Sequence, residues 1–487
     1  MEQLQGIVER LAGFLNPLVD IIWGPFVLIP LLLVVGIFLT VRISALQIRM
    51  LPHALWLAFF RRKESEDAEG DISHYQSVST ALAATIGVGN LAGVAGAIGI
   101  GGPGALFWMW VTGLLGMATK YSEALLSVKY RQRDAKGEQS GGPMYYLRNG
   151  IGGGFGLVLG GAFAIFGAIA AFGIGNLVQA NEVAGAVTSA ANTLNPGTEV
   201  PTWITGLILV AAAGIVIIGG IKSIGRVTAL LVPVMAITYI LAAIMVLIVF
   251  VNDLGAAFQL IFTEAFTGQA AAGGFLGSAL MFVIQQGMAR GMFSNEAGLG
   301  TGGISAAAAK TNHPTRQGLV QMTQTFIDTI IVVSMTGLVL IVTDAYAVFE
   351  LQPGGADEEL SRATVTGWAF SQGIGTAGTF VVALSVLLFA YSTILGWSYY
   401  GERCMEYLFG RTLVMPYRVL FVALIFVGAT TAPETLWAFS DIFNGLMALP
   451  NLLGLLLLSP IIVSETRRYF ADPNWKYPDM KITDVRD

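Results

Sequence analysis

The stretch Thr85-Ile86-Gly87-Val88-Gly89-Asn90 interrupts an apolar segment that is otherwise long enough to cross a membrane. Each glycine destabilises a helix by about 1 kcal/mol relative to alanine, and unpaired backbone groups inside a bilayer cost several kcal/mol more. Such an interruption is tolerated where the open backbone lines a cavity within the protein. The sequence therefore predicts a broken membrane helix at residues 85–90, with a ligand or an ion held at the break.

The composition is typical of a multi-pass membrane protein. Of 487 residues, 55% are hydrophobic and 12% are charged, a balance that excludes an ordinary water-soluble enzyme. The single cysteine, Cys404, excludes a disulfide framework and a cysteine-based metal cluster. We expect a transporter rather than an enzyme, with a small-molecule substrate, the lipid bilayer as its surroundings and no nucleic-acid partner. The oligomeric state stays open.

Apolar runs of about 20 residues, enough to cross roughly 30 Å of hydrocarbon, predict an all-α protein with eleven membrane helices. Their bounds are 24–41, 77–99, 103–128, 155–190, 203–220, 227–251, 274–309, 317–342, 367–402, 414–432 and 436–463. The second and the seventh are predicted to be broken, the seventh near residues 287–298. With the first helix set apart, the other ten form two five-helix halves of opposite topology, as in inverted-repeat transporters.

These halves define the predicted organisation of the chain. An extra amino-terminal helix and loop (1–76) precede the first half (77–251), which is followed by the second half (252–463) and a tail (464–487). Lysine and arginine are concentrated in the loop after the first helix, in alternate connections beyond it and in the tail. Because positive loops face the cytoplasm, the amino terminus is predicted outside and the carboxyl terminus inside a prokaryotic plasma membrane.

Three long motifs occur in order along the chain. They are Gly101-Gly102-Pro103-Gly104-Ala105-Leu106-Phe107-Trp108-Met109-Trp110, Gly141-Gly142-Pro143-Met144-Tyr145-Tyr146 and Gly291-Met292-Phe293-Ser294-Asn295-Glu296-Ala297-Gly298-Leu299-Gly300. Together they resemble the sodium:alanine (alanine/glycine:cation) symporter family, over about residues 77–443. The resemblance implies a leucine-transporter-like fold with one extra leading helix, and sodium-driven uptake of a small neutral amino acid, alanine or glycine.

At the first break, the amides of Val88 and Gly89 are predicted to face the cavity at the start of a half-helix. Free N–H groups at a helix amino terminus stabilise a carboxylate, so an amino acid can bind there without an arginine. The predicted substrate-binding residues of this break are Thr85, Gly87, Val88, Gly89 and Asn90. The alternative is that the glycines only allow helices to pack closely.

Oxygen atoms near the same break are predicted to bind sodium, a hard cation that prefers oxygen ligands. The preceding turn supplies carbonyl groups, Asn90 supplies a side-chain oxygen, and Ser392 and Thr393 supply adjacent hydroxyls. The resemblance assigns Ala83 and Ile86 to one sodium site, Thr85 and Asn90 to a second site linked to the substrate carboxylate, and supports a sodium role for Ser392 and Thr393. The alternative for the hydroxyls is hydrogen bonding to carbonyls of their own helix.

The second broken helix is expected to supply the other wall of the pocket. Gln285 and Gln286 are predicted to hydrogen-bond the substrate, and Met288 to shape an apolar wall. Charged residues within a membrane segment are costly and usually paired. Arg290 and Glu296 are therefore predicted to pair and to close the cytoplasmic end of the pathway.

Two further segments carry candidate substrate ligands. Asn176 and Gln179 share one face of the fourth predicted span and are predicted to reach the cavity, although hydrogen bonds between helices explain them equally well. Trp397 lies one turn after Thr393 and is expected either to close the pocket or to pack against it.

The remaining membrane carboxylates leave one alternative function open. Lys120 and Glu123 are three residues apart and are predicted to pair at the cytoplasmic edge, whereas Asp328 has no evident partner in the sequence. A proton-coupled carrier that uses Asp328 or Glu182 is thus the main alternative. A channel or a signalling transceptor is disfavoured because polar residues concentrate at the two breaks.

Overall fold

The computed structural model describes residues 17–24, 26–60, 68–267, 276–350, 362–431 and 433–477. Residues 1–16 of the predicted amino-terminal division, the start of the seventh predicted span at 274–275 and residues 478–487 of the predicted tail lie outside this part of the chain. The described chain is almost entirely helical.

The helices of the first part of the chain surround one short hairpin. They are α1 (Leu28–Arg42), α2 (Leu46–Arg49), α3 (Leu51–Phe59), α4 (His74–Thr85), α5 (Ala92–Gly101), α6 (Gly104–Lys129), α7 (Pro143–Tyr146), α8 (Gly153–Phe172), α9 (Val178–Leu194), α10 (Thr202–Ile218) and α11 (Gly220–Val249). A 3-10 turn, Val88–Asn90, lies between α4 and α5, and π-helical turns follow α7 (Leu147–Ile151) and join α8 to α9 (Gly173–Leu177).

The second part of the chain is helical where the structure describes it. Its helices are α12 (Leu254–Thr267), α13 (Leu276–Asn295), α14 (Thr301–Ala307), α15 (Pro314–Thr325), α16 (Ser334–Val342), α17 (Ala345–Glu350), α18 (Arg362–Ile374), α19 (Thr376–Phe409), α20 (Val414–Thr430), α21 (Pro433–Leu457) and α22 (Ser459–Ala471). A π-helical stretch, Phe326–Val333, joins α15 to α16, and a 3-10 turn, Arg411–Leu413, precedes α20.

Within the described residues, six helices are long and apolar enough to cross a membrane, and a seventh results if the bent pair α4 and α5 counts as one span. The six are Gly153–Leu194, Gly220–Val249, Pro314–Val342, Thr376–Phe409, Arg411–Thr430 and Thr435–Leu457. Three shorter helices, α1, α10 and α12, are also apolar. A membrane protein of many helices is thus confirmed, while the count of eleven stays a prediction.

Long helices enclose both interrupted segments. Helix α6 packs against α13 and α15, and α19 packs against α4, α8 and α9. The half-helix α5 lies against α13, so the two interrupted segments are neighbours in the core of the bundle.

The first predicted break is confirmed. A capping box starts α4, in which the Ser73 hydroxyl accepts from the Gln76 amide at 3.2 Å and the Ser73 amide donates to Gln76 Oε1 at 3.0 Å. The helix ends at Thr85, the backbone is extended at Gly87, and the chain resumes as α5 at an angle of 58° to α4.

The second break lies at the end of the predicted range 287–298, beyond the segment 282–291 whose polar residues and glycines suggested it. Helix α13 runs without interruption to Asn295, and the break spans residues 296–300. The backbone is left-handed at every second residue, with φ of 57° at Glu296, 97° at Gly298 and 82° at Gly300. Left-handed backbone is disfavoured for residues with a side chain, so Glu296 holds its conformation only because its surroundings fix it.

The glycines inside α13 serve helix packing. A Cβ atom on Gly287 would lie 2.4 Å from the carbonyl oxygen of Ala105, and one on Gly291 would lie 2.2 Å from Thr112 Oγ1. Both neighbours belong to α6. Small residues let two membrane helices approach closely. Glycines that serve this packing produce the same sequence pattern as glycines at a helix break.

One feature departs from the all-α prediction. A two-stranded antiparallel hairpin, β1 (Gln132–Arg133) and β2 (Gln139–Ser140), follows α6. The buried guanidinium of Arg403 near the end of α19 binds Asp134 at 2.9 Å and Glu138 at 2.8 Å. Burial alone would raise the pKa of Asp134, but the hydrogen bonds from Arg403 and from nearby amides hold that pKa below its usual value. The hairpin is thus fixed to α19 by charge.

Replacing Arg403 by glutamine should destabilise the fold by roughly 2 kcal/mol, because Asp134 and Glu138 lose the buried one of their two guanidinium partners and keep the other, Arg411. Denaturation of the purified protein in detergent measures this. Since the pKa of Asp134 is lowered, its stabilising effect is present above its unfolded pKa, and the difference should persist between about pH 7 and about pH 5. Arg133→Gln is the control, because its ion pair with Glu69 is exposed and worth under about 1 kcal/mol. Equal losses in both variants would contradict the prediction.

Candidate substrate and cation site

The backbone of the first break is bound by side-chain oxygens. Residues Gly87, Val88 and Asn90 are buried. The amide of Gly87 donates to Asn90 Oδ1 at 2.9 Å, and the amide of Val88 donates to Gln179 Oε1 at 3.2 Å. Gln179 lies in the first turn of α9. A side-chain oxygen therefore occupies the place beside Val88 that was predicted for a substrate carboxylate.

Three of the predicted cation ligands lie together next to this break. The Ser392 hydroxyl is 3.2 Å and the Thr393 hydroxyl 3.1 Å from the carbonyl oxygen of Ala83. All three residues are buried. A Cβ atom on Gly87 would lie 2.5 Å from Thr393 Oγ1, so the glycine allows α19 to approach the break. The arrangement provides neutral oxygens that suit a hard cation.

Two other predicted cation ligands have local hydrogen bonds. The Thr85 hydroxyl donates to the carbonyl of Ala81 at 3.0 Å within its own helix, which is the alternative open to any membrane threonine. Ile86 is buried, and its amide donates to the carbonyl of Leu82 at 2.8 Å. Both residues stand at the edge of the break, and their role as ligands stays a prediction.

Asp328 joins the two interrupted segments. Its buried carboxylate accepts from Asn90 Nδ2 at 2.7 Å, from the Ser294 hydroxyl at 2.9 Å and from the Thr329 hydroxyl at 2.8 Å. Asn90 belongs to the first break and Ser294 to the last turn of α13. Asp328, which has no evident partner in the sequence, is thus hydrogen-bonded to both interrupted segments.

A second buried cluster surrounds Glu296. Its carboxylate accepts from Trp397 Nε1 and from the Thr301 hydroxyl, both at 2.6 Å, and its backbone carbonyl accepts from Lys120 Nζ at 3.1 Å. Trp397 also covers Gly175, where a Cβ atom would overlap the indole. Trp397 therefore links the π-helical turn before α9 to the second break.

Glu123 binds the backbone of the second break. One carboxylate oxygen accepts from the amides of Gly298 and Gly300, both at 3.0 Å, and from Asn451 Nδ2 at 2.8 Å. Lys120 and Glu123 were predicted to pair with each other at the cytoplasmic edge. Within the described residues they form no ion pair of 4 Å or less, although Lys120 is close enough to attract the Glu123 carboxylate. Both residues are fully buried, and their hydrogen bonds go to the second break because its unpaired amides and carbonyls need partners.

The predicted gate pair of Arg290 and Glu296 is also wrong. Arg290 forms a two-pronged ion pair with Asp441, at 3.0 and 2.7 Å, and lies over the Trp437 ring at 4.9 Å. Six residues turn a helix by about 240°, so Arg290 and Glu296 point in different directions. The paired Asp441 was missed, although a carboxylate in a membrane segment is itself a signal.

Three predicted substrate ligands do not lie near the first break. Gln285 and Gln286 are about ten residues before the end of α13, which places them roughly 15 Å from the second break along the helix axis. Gln286 instead approaches Gly101 at the far end of α5. Met288 faces a small cavity that it shares with Leu32 of α1 and Leu115 of α6.

Asn176 and Gln179 have different roles despite sharing a helix face. Gln179 reaches Val88, as described above, and its Nε2 donates to the carbonyl of Ile174 at 2.8 Å. Asn176 Nδ2 donates to the carbonyl of Phe421 in α20. The hydrogen bond between helices, one of the two alternatives for this pair, is therefore what the structure shows for Asn176.

Comparisons with known proteins agree with this architecture. The model of the sodium:alanine symporter family matches residues 8–481. The chain is 51% identical over 458 residues to the sodium/alanine symporter AgcS of Methanococcus maripaludis, covering 94% of this chain and 97% of that protein. It is 35% identical over 467 residues to the probable sodium/glutamine symporter GlnT of Bacillus subtilis, covering 96% and 91% respectively.

A solved structure extends the comparison to the fold. The crystal structure of MhsT in complex with L-phenylalanine aligns with a TM-score of 0.55 at 16% identity, covering 82% of this chain and 99% of that one. This likeness shows a fold of the leucine-transporter type. Since a family model covers nearly the whole chain and a close relative shares half of its residues, the protein belongs to the sodium:alanine symporter family and is a multi-pass amino-acid transporter, not an enzyme.

Proposed function

We propose that this protein couples inward movement of sodium to uptake of a small neutral amino acid, alanine or glycine, by alternating access. The observation that carries the proposal is the approach of two hydroxyls, of Ser392 and Thr393, to the Ala83 carbonyl beside the first break. These neutral oxygens suit sodium and cannot take up and release a proton at ordinary pH. The sodium ligands we propose are Ala83, Thr85, Ile86, Asn90, Ser392 and Thr393.

The substrate carboxylate is proposed to bind at the amides of Val88 and Gly89. The Gln179 oxygen at 3.2 Å from the Val88 amide supports this, because it shows that an acceptor can reach that amide. A carboxylate there would take the place of Gln179 Oε1 and gain a charge-assisted hydrogen bond. The proposed substrate-binding residues are Thr85, Gly87, Val88, Gly89, Asn90, Gln179 and Trp397.

The walls of this region favour a small substrate. A Cβ atom on Gly89 would lie 2.9 Å from the Phe293 ring. Phe293 stacks with Trp437 at a centroid distance of 4.8 Å, and Arg290 and Asp441 pair beside them. We propose that this aromatic and ionic layer is the gate on the α5 side of the breaks.

The proposed topology is two inverted five-helix halves, at 77–251 and 252–463, each opening with an interrupted helix. The extra helix (1–76) and the tail (464–487) complete the chain, with the amino terminus outside and the carboxyl terminus inside a prokaryotic plasma membrane. The two breaks and the alternation of positive loops support this arrangement.

One observation favours a second candidate, a proton-coupled amino-acid carrier. Asp328 is buried and bonded to both interrupted segments, and buried carboxylates in membrane segments commonly form proton relays. Protonation of Asp328 would weaken its acceptance from Asn90 and so affect the first break directly.

Uptake of labelled alanine into proteoliposomes tests the two candidates. A sodium gradient alone should drive accumulation of alanine, and unlabelled glycine should compete while tryptophan should not, because the glycine-lined region has too little volume. Vesicles without protein and vesicles with collapsed gradients are the controls. Accumulation under a proton gradient without sodium would replace the sodium proposal by the proton-coupled one.

The double variant Ser392→Ala with Thr393→Val removes two oxygens at nearly constant volume. The sodium concentration for half-maximal uptake should rise about tenfold or more, as expected from a loss of roughly 1.4 kcal/mol or more. Ser385→Ala is the matched control, because this buried serine of the same helix donates to the carbonyl of Val381 one turn earlier. An unchanged sodium dependence in the double variant would exclude these hydroxyls as ligands.

The variant Asp328→Asn distinguishes two possible roles of Asp328. Its negative charge supports cation binding in one role, and its carboxyl group carries the coupled proton in the other. If sodium is the coupling ion, the variant should need more sodium while the pH profile of uptake keeps its shape, since no titrating group has been lost. If protons are coupled, gradient-driven accumulation should disappear while exchange of alanine across the membrane continues. Asp253→Asn, at an exposed position, serves as the control. If Asp328→Asn shows both a normal sodium dependence and normal gradient-driven accumulation, Asp328 has neither role.

A further inference from the structure

Away from the two breaks, a cleft of about 380 Å³ lies between α1, α2 and α22. Arg42 in the last turn of α1, Arg49 at the end of α2 and Arg467 on α22 line it, together with the hydroxyl-bearing residues Ser44 and Thr466. Arg468 lies in a continuation of the same cleft. Arginines from three separate helices thus converge on one concave surface.

The three arginines that line the cleft have no carboxylate partner in the part of the chain that the structure describes. Among the residues that the structure describes, no carboxylate lies within 4 Å of the guanidinium nitrogens of Arg42, Arg49 or Arg467. Arg49 donates to the carbonyl of Ser44 at 3.2 Å, and Arg42 lies over the Phe38 ring at 5.7 Å. Arg468 lies 3.9 Å from Glu465. The cleft therefore keeps several positive charges that repel one another.

The backbone is bent to bring these charges together. Ser44 and Ala45 have φ of 56° and 50°, a left-handed conformation that is unfavourable for residues with a side chain. Two such residues in succession turn the chain sharply between α1 and α2, so that Arg49 returns to the cleft lined by Arg42. Strain of this kind persists where it serves a site.

An exposed apolar stripe leads along α1 to the cleft. Val34, Ile37 and Val41 are 56%, 52% and 71% exposed, and their spacing of three and four residues places them on one helix face. Val41 also lines the continuation of the cleft. A ligand with a phosphate at one end and hydrocarbon at the other would contact the arginines and this stripe at the same time.

We propose that this cleft binds the phosphate of an anionic phospholipid, with its acyl chains along α1. Arginine binds phosphate oxygens through two parallel N–H groups, and basic pockets between membrane helices are suited to anionic headgroups. The apolar stripe distinguishes a lipid from a free phosphate, which would gain nothing from Val34, Ile37 or Val41. The site lies outside the transport pathway and does not depend on which ion is coupled.

The test is retention of phosphatidylglycerol by the purified full-length protein, measured by native mass spectrometry from nanodiscs of phosphatidylglycerol and phosphatidylcholine. The double variant Arg42→Gln with Arg467→Gln should bind phosphatidylglycerol about thirtyfold more weakly, from about 1 kcal/mol for each arginine and 1.4 kcal/mol per tenfold. Retention of phosphatidylcholine should be unchanged.

Arg226→Gln is the matched control, since Arg226 is exposed on α11 away from the cleft. Equal retention of phosphatidylglycerol by the double variant and by this control would overturn the proposal. A second arm adds inorganic phosphate at millimolar concentration. Retained lipid in its presence supports the lipid site, whereas complete displacement of lipid would show a site for a soluble anion and overturn the lipid assignment. A monodisperse peak for each variant in size-exclusion chromatography, measured alongside, shows that the variants are folded.

Discussion

The structure depends on one constraint, which is that backbone groups exposed by a broken helix inside a membrane must find partners in the protein. At the first break, Asn90 and Gln179 accept from the amides of Gly87 and Val88. At the second, Glu123 accepts from two glycine amides and Lys120 donates to the Glu296 carbonyl. Buried polar residues that look isolated in the sequence are explained by these partnerships.

The two breaks differ in the side chains that bind their backbone amides. This difference supports the proposal that the first break is the site of ligand exchange and that the second break holds it in place. A neutral glutamine oxygen contacts the first break, and such an oxygen is easily exchanged for a substrate carboxylate. A fully buried carboxylate contacts the second, where its removal would leave several amides without partners. We therefore propose that the second break stays intact during transport, while the first exchanges its ligands. Asp328 couples them, because it bonds to Asn90 on one side and to Ser294 on the other.

The sequence allowed the membrane class and the first break to be predicted, because each is written in a local pattern. Ala83 was assigned as a cation ligand through the family resemblance, since Ser392 and Thr393 lie about 310 residues from it. The second break was predicted to begin too early, at residue 287 instead of 296, since Gly287 and Gly291 produce the same pattern through packing against α6. The observed position of the second break depends on left-handed backbone at Glu296, Gly298 and Gly300. Of these residues, only the two glycines can be recognised in the sequence as candidates for that conformation. Asp441, the partner of Arg290, and Asn90, which donates to Asp328, lie 151 and 238 residues away from them, so that spacing along the chain carries no information about these two contacts.

The same geometry indicates how ligand binding can be transmitted to the gate. Gly89 lies against the Phe293 ring, and Phe293 belongs to the same helix as Arg290 and stacks on Trp437. A carboxylate at the Val88 and Gly89 amides would press on this ring or release it, and a shift of Phe293 moves the layer that Arg290 and Asp441 close. Under the proposed function, the absence of a Cβ atom at position 89 would serve both substrate approach and contact with the proposed gate, since any side chain there would hold Phe293 away from the break.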